Sequence, residues 1–96
     1  MQKARLHVNF SGAVQGVGFR FTVRRIANRY EVTGFVKNLL NGDVEVAAEG
    51  DREVVESFIS AIYSSSLSGY IRNVEKESSP ATGEYSGFNI KQMEIH

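Results

Sequence analysis

The sequence predicts an α+β fold, an antiparallel sheet with both helices on one face. Three features predict it. Short runs alternate apolar with polar residues, the mark of half-buried strands. Two other runs repeat apolar residues at helical spacing. The two kinds of run interleave along a chain of 96 residues, which is a suitable length for one compact domain.

Residues 5–11 open the pattern. Leu6, Val8 and Phe10 face one way, and His7 and Asn9 face the other, as in a half-buried strand. A glycine-rich stretch follows. Phe19, Val23, Ile26, Ala27 and Tyr30 then fall on one helical stripe that excludes Arg20, Arg24, Arg25 and Arg29. This predicts a helix over about 20–30, ended by the β-branched pair Val32-Thr33 and by Gly34. The arginines off the stripe at 24, 25 and 29 read as a solvated face. Phe35 to Leu40 is a second strand. Asn41-Gly42 signals a type I′ hairpin, whose central positions both need positive φ. Val44, Val46 and Ala48 alternate with Glu45 and Glu49 in a third strand, antiparallel to the second.

Asp51 then offers an N-cap and Glu53 a first-turn acid. Val54, Val55, Phe58, Ile59 and Ile62 give a second helix its apolar stripe to about residue 63. Ser64 to Gly69 reads as a loop, and Tyr70 to Ser78 as a fourth strand with weaker alternation. Pro80 cannot donate to a central ladder and opens a turn. Phe88 and Ile90 alternate, as do Met93 and Ile95, with a change of parity between the pairs. Either a bulge lies near Lys91-Gln92 or the last residues form a separate edge strand. The order β-α-β-β-α-β is the ferredoxin-like split βαβ, with right-handed crossovers. Many unrelated functions use it, so topology alone assigns none.

Composition narrows the function. The whole chain, 1–96, reads as a single domain, and at 42% hydrophobic it can bury a core. Eleven basic and eleven acidic residues cancel, which disfavours bulk nucleic-acid binding. The absence of cysteine removes disulfides, thiolate nucleophiles and cysteine-ligated metals together. No apolar stretch approaches a membrane span, and the N-terminus lacks the apolar core of a signal peptide. The expected location is the cytoplasm.

The chemistry points to Gly12-Ala13-Val14-Gln15-Gly16-Val17-Gly18-Phe19-Arg20, between a strand and a helix. Glycine frees the backbone to turn successive amides towards one point, and a helix N-terminus behind them completes an anion-binding concavity. No Gly-Lys-Ser/Thr follows, and Phe21 stands where G-x-G-x-x-G needs glycine, so neither standard nucleotide loop is present. A shorter cradle for one phosphoryl group and a tight turn without a ligand both remain open. Arg20 falls on the first helical turn, where the helix dipole disfavours a cation and a bound anion offsets that cost. The alternative is a surface arginine. Asn38 shares parity with Val36 and Leu40 and so points towards the helices. There it either orients a water or is a satisfied structural amide. His7 and His96 read as ordinary surface histidines. Tyr30, Tyr63, Tyr70 and Tyr85 are too scattered for a stacking platform.

The stretch Val14-Gln15-Gly16-Val17-Gly18-Phe19-Arg20 closely resembles the signature of the acylphosphatase family. Gly34-Phe35-Val36-Lys37-Asn38 is similar to that family's second signature, usually Gly-Trp-Val-Arg-Asn. Asn41-Gly42-Asp43-Val44-Glu45-Val46, Gly50 and the closing Gly83-Glu84-Tyr85-Ser86-Gly87-Phe88-Asn89-Ile90 extend the likeness over nearly the whole chain. The resemblance implies hydrolysis of acyl phosphates without a cofactor or metal. It implies that Arg20 and the backbone amides of Gln15, Gly16, Val17, Gly18, Phe19 and Arg20 hold the phosphate, and that Asn38 positions the attacking water. The expected partners are a small-molecule acyl phosphate and inorganic phosphate as product and competitive inhibitor. No nucleic acid or membrane partner is expected, and the protein is expected to be a monomer. The alternative is a non-catalytic phosphate-ligand-binding or regulatory module on the same fold. Phe35 for tryptophan and Lys37 for arginine are the departures in the second signature. The Ser64–Ser68 stretch also lacks the usual Gly-Pro-Pro-like turn, leaving its conformation open.

Overall fold

A computed structural model describes residues 2–93. Its elements are β1 (Lys3–Gly12), α1 (Phe19–Ala27), β2 (Thr33–Asn38), β3 (Val44–Asp51), α2 (Arg52–Tyr63), β4 (Ile71–Pro80) and β5 (Phe88–Lys91), with a single 3₁₀ turn at Ser68–Tyr70. The strands form one sheet in the order β4-β1-β3-β2-β5. The β1–β3, β1–β4 and β2–β3 pairs are antiparallel, as expected. β5 adds one parallel pair, to β2, and makes the sheet mixed. It ends at Lys91, where the parity of the sequence changes. Ile95 and His96 lie outside the described residues.

Alternation along β1 buries Ala4, Leu6, Val8 and Phe10. Leu6, Val8 and Phe10, with Val36, Val44, Val46 and Ala48, meet the stripes of both helices in one core. α1 packs against β2 and β5, and α2 against β1 and β3. The Phe10 ring lies 5.3 Å from Phe19 and 5.8 Å from Tyr63, and Phe58 lies 5.3 Å from Phe88. Burial of Phe10, Phe19 and Phe58 stabilises the fold by roughly 1.5–3 kcal/mol each.

Several local expectations change. α1 is shorter than predicted, ending at Ala27. Asp51 does precede α2, yet its carboxylate makes no cap and pairs instead with Lys3 at 3.3 Å. The hairpin forms, but not through a type I′ turn. Asn41 has no positive φ, and only Gly42, at φ 95°, does. The Leu39 amide bonds the Asp43 carbonyl at 2.9 Å and the Gly42 amide bonds the Leu39 carbonyl at 3.1 Å, closing a three-residue loop. The Asn41 side-chain oxygen accepts from the Asp43 amide at 3.0 Å, an Asx bond that holds Asn41 in ordinary backbone space. Leu40 therefore leaves the strand and is exposed. The serine loop is firmer than its composition suggests. Leu67 is buried, and Ser65 Oγ donates to the Ile62 carbonyl at 2.7 Å while accepting from the Leu67 amide at 3.1 Å.

β4 and β5 occupy opposite edges, so residues 81–87 must cross the sheet. They cross the face away from the helices. There Glu49, almost fully buried, accepts from the Thr82 and Gly83 amides at 2.9 Å each, from the Thr82 hydroxyl at 3.0 Å and from Arg5 Nε at 2.8 Å. Arg5 also contacts Glu84 and lies over the Tyr85 ring at 4.9 Å, and that ring packs on Phe35. Burial alone would push the Glu49 pKa up. The Thr82 amide, Arg5, the Gly83 amide and the Thr82 hydroxyl outweigh it and hold the group at about 2.

A carboxylate depressed in the folded state stabilises the fold above its unfolded pKa of 4.5, and that contribution is lost as pH falls towards 2. At neutral pH the shift corresponds to about 3 kcal/mol. Glu49→Gln is expected to lose most of this at pH 7 and to flatten the pH dependence of stability below pH 4.5. Urea unfolding of both proteins across that range checks it.

Candidate active site

The glycine-rich loop is strung between two buried anchors, Val14 and Phe19. The Ala13 amide donates to the Tyr70 carbonyl at 3.0 Å and fixes the loop's entry. Between the anchors, Gly16 and Gly18 have φ of 81° and 76°. A Cβ built on either would touch nothing within 4 Å. These positions therefore need glycine for its dihedral freedom rather than for space. The backbone that results leaves the amides of Gln15, Gly16, Val17 and Gly18 without an acceptor among the described residues.

Gly18 is also the N-cap of α1, and no side chain caps that end. The first helical bond runs from the Thr22 amide to the Gly18 carbonyl at 3.1 Å. The amides of Phe19, Arg20 and Phe21 precede it and are left over, as at every helix start. No acidic residue occupies the first turn. Arg20 does, half-buried, and it has neither an ion-pair nor a hydrogen-bond partner among the described residues. The helix dipole makes this an unfavourable place for an unpaired cation and a favourable one for an anion.

Asn38 ends β2 opposite Val44. Val44 and Val36 are both in the core on the helix side, so strand parity points Asn38 to that side too. Its amide finds no hydrogen-bond partner among the described residues. Phe10, near the end of β1, also faces Val44, so the loop leaves the sheet at the end where Asn38 sits. Gln15 ties the two together. Its Nε2 donates to the Leu39 carbonyl at 2.7 Å and to the Asp43 carbonyl at 2.8 Å. The loop that carries Gln15 to Arg20 thus starts from the sheet end at which Asn38 sits, and Gln15 is bonded to the residue after Asn38. The Gln15 carboxamide is the part that sequence reasoning missed. The one signal available was a long polar side chain in a loop otherwise made of glycine and valine.

Other polar groups lie elsewhere. His7 pairs with Glu45 on the opposite face, and Lys37 reaches the same carboxylate at 3.6 Å. This pair was not foreseen, because strand pairing, not spacing, makes it. Arg24, Arg25 and Arg29 are exposed, as expected. Among the described residues, no three His, Asp or Glu side chains converge as metal ligands. No helix of the described residues is long and apolar enough to cross a membrane.

The acylphosphatase family model matches residues 6–90. The chain belongs to the acylphosphatase family. An acylphosphatase of Pelotomaculum thermopropionicum is 43% identical over 90 residues, covering 94% of this chain and 98% of that protein. The crystal structure of acylphosphatase from Bacillus subtilis superposes with a TM-score of 0.84 at 31% identity, covering 92% of this chain and 98% of that one. An acylphosphatase structure from Coxiella burnetii gives 0.81 at 36% identity, covering 94% of each. The protein is accordingly an acylphosphatase, an enzyme that hydrolyses acyl phosphates, and these relatives do not favour a non-catalytic module. In this acylphosphatase Phe35 turns away from Asn38, onto the face without helices, where its ring lies 6.3 Å from His7 and 5.8 Å from Tyr85.

Gly18→Ala adds strain without a clash. A non-glycine residue in this backbone region costs about 1–2 kcal/mol, and each kcal/mol lowers Tm by roughly 4–8 °C in a domain of this size. Thermal unfolding should show that drop.

Proposed function

We propose that Arg20 and the amides of residues 15–20 hold the phosphoryl group of an acyl phosphate while Asn38 orients the water that attacks it. One observation carries this reading. A half-buried arginine without a partner among the described residues sits on the uncapped first turn of α1, beside four loop amides without acceptors. A bound anion would be an acceptor that these groups otherwise lack. The Asn38 side chain, also without a hydrogen-bond partner among the described residues, lies at the same end of the sheet.

The chemistry suits so spare a site. An acyl phosphate is a mixed anhydride, and its leaving group is a carboxylate whose conjugate acid has a pKa of about 4. It departs as the anion at neutral pH, so no general acid is needed. Phosphoryl transfer passes through a loose transition state with charge spread over the equatorial oxygens. Loop amides and the Arg20 fork stabilise that charge as fixed donors. The Asn38 amide accepts a hydrogen bond from water and aligns its oxygen with the scissile bond. The new P–O bond forms as the bond to the carboxylate oxygen breaks, and the electron pair leaves with the carboxylate. One water proton passes to a phosphoryl oxygen and the other stays on the attacking oxygen, giving dihydrogen phosphate, which then loses a proton to solvent at neutral pH.

Arg20→Ala is expected to raise KM and to lower kcat by roughly 100- to 1,000-fold. Arg20→Lys should recover little, because a point charge lacks the two-pronged geometry. Asn38→Ala should lower kcat by a comparable factor while inhibition by phosphate stays within a few-fold of wild type. An Asn38→Ala enzyme with undiminished kcat on a simple aryl acyl phosphate overturns the assignment. Inorganic phosphate should inhibit competitively in steady-state assays.

A further inference from the structure

We propose that the Gln15 side chain is a positioning residue for the reaction. It sets the distance and angle between the phosphate cradle and the water held by Asn38. This rests on the roles given above to Arg20 and Asn38, and it adds a part that neither of them plays.

The argument begins with what Gln15 does not hold up. The β2–β3 hairpin closes without it, through the Leu39 amide to the Asp43 carbonyl at 2.9 Å and the Gly42 amide to the Leu39 carbonyl at 3.1 Å. The Asp43 carboxylate is fixed separately, by Asn9 Nδ2 at 2.6 Å and Asn41 Nδ2 at 3.2 Å. The loop, for its part, is anchored by Val14, by Phe19 and by the Ala13 bond to Tyr70. Each unit is complete alone. Among the described residues, the two Gln15 bonds are the only hydrogen bonds that join them.

Those bonds have a specific geometry. One Nε2 group spans two carbonyls, at 2.7 and 2.8 Å, and both carbonyls already accept a main-chain amide. Each carbonyl oxygen thus uses both lone pairs. A donor held from two sides cannot slide along either one. The Leu39 carbonyl belongs to the residue after Asn38, so the carboxamide fixes the backbone that carries the water-holding side chain. Its own backbone amide is the first of the cradle. In-line attack punishes small errors, and a displacement of about 1 Å can cost 100-fold in rate.

Gln15→Met keeps the length of the side chain and removes the donor. Both carbonyls retain an amide partner, so the hairpin is expected to remain closed. The variant should lower kcat roughly 10- to 100-fold, with competitive inhibition by inorganic phosphate changed no more than about twofold. In the Asn38→Ala background the same substitution should change kcat little, because it acts through Asn38. Four proteins, namely wild type, each single variant and the double variant, are assayed on an aryl acyl phosphate after thermal unfolding shows each to be folded. Gln15→Ser repeats the cycle if methionine is not accommodated. Equal kcat losses in both backgrounds, a loss of phosphate affinity as large as the loss of kcat, or an unchanged kcat in the single variant overturns the proposal while leaving Arg20 and Asn38 in place. An undiminished kcat in Asn38→Ala alone overturns the underlying assignment and this one with it.

Discussion

The register of β1 against β3 is the constraint from which the rest of the molecule follows. Leu6 faces Ala48, Val8 faces Val46 and Phe10 faces Val44, and every one of these side chains enters the core beneath the helices. A slip of one residue would turn that apolar set outward and bring Arg5, His7 and Asn9 in, so burial enforces the register strongly. With it fixed, Phe10 and Asn38 both stand opposite Val44, one from each neighbouring strand. The glycine loop then emerges beside Asn38. The same register sets Glu49 across from Arg5 on the other face, where the pair fastens the crossing segment.

The site proposed at that sheet end draws more on main chain than on side chains. Its proposed donors are amides freed by left-handed glycines and by the start of a helix, and the loop that carries them is anchored on either side by buried valine and phenylalanine. Preorganised donors of this kind need no rearrangement as charge develops. The chemistry permits this economy, since a carboxylate leaves unaided. The imidazole and carboxylate pair of His7 and Glu45 lies on the opposite face, where it has no role in the proposed steps.

Much of this was legible in the sequence because it is written in short-range pattern. Period-two burial placed β1, and helical spacing placed the buried faces of α1 and α2. Parity placed Asn38, and the clash between a cation and a helix start drew attention to Arg20. What escaped was encoded over longer range or in competition between local preferences. Asn41-Gly42 favours a two-residue turn, but the Asx bond to the Asp43 amide selected a three-residue loop. The partners of Gln15 are main-chain carbonyls beyond the next helix and strand, and no residue type announces a carbonyl. The ligands of Glu49 come from the far side of α2, and the parallel seat of β5 follows from that crossing rather than from its own four residues.

The long outer strand β4 has one more consequence. Ten residues with an edge that no other strand pairs among the described residues would ordinarily invite another polypeptide to add a strand. Here Arg72, Glu75, Lys76 and Glu77 crowd that margin with charge of both signs, and Pro80 withholds a donor at its end. An incoming chain would have to strip water from those groups before gaining its first main-chain bond. Mixed charge along β4 therefore works against edge-to-edge association of one sheet with another.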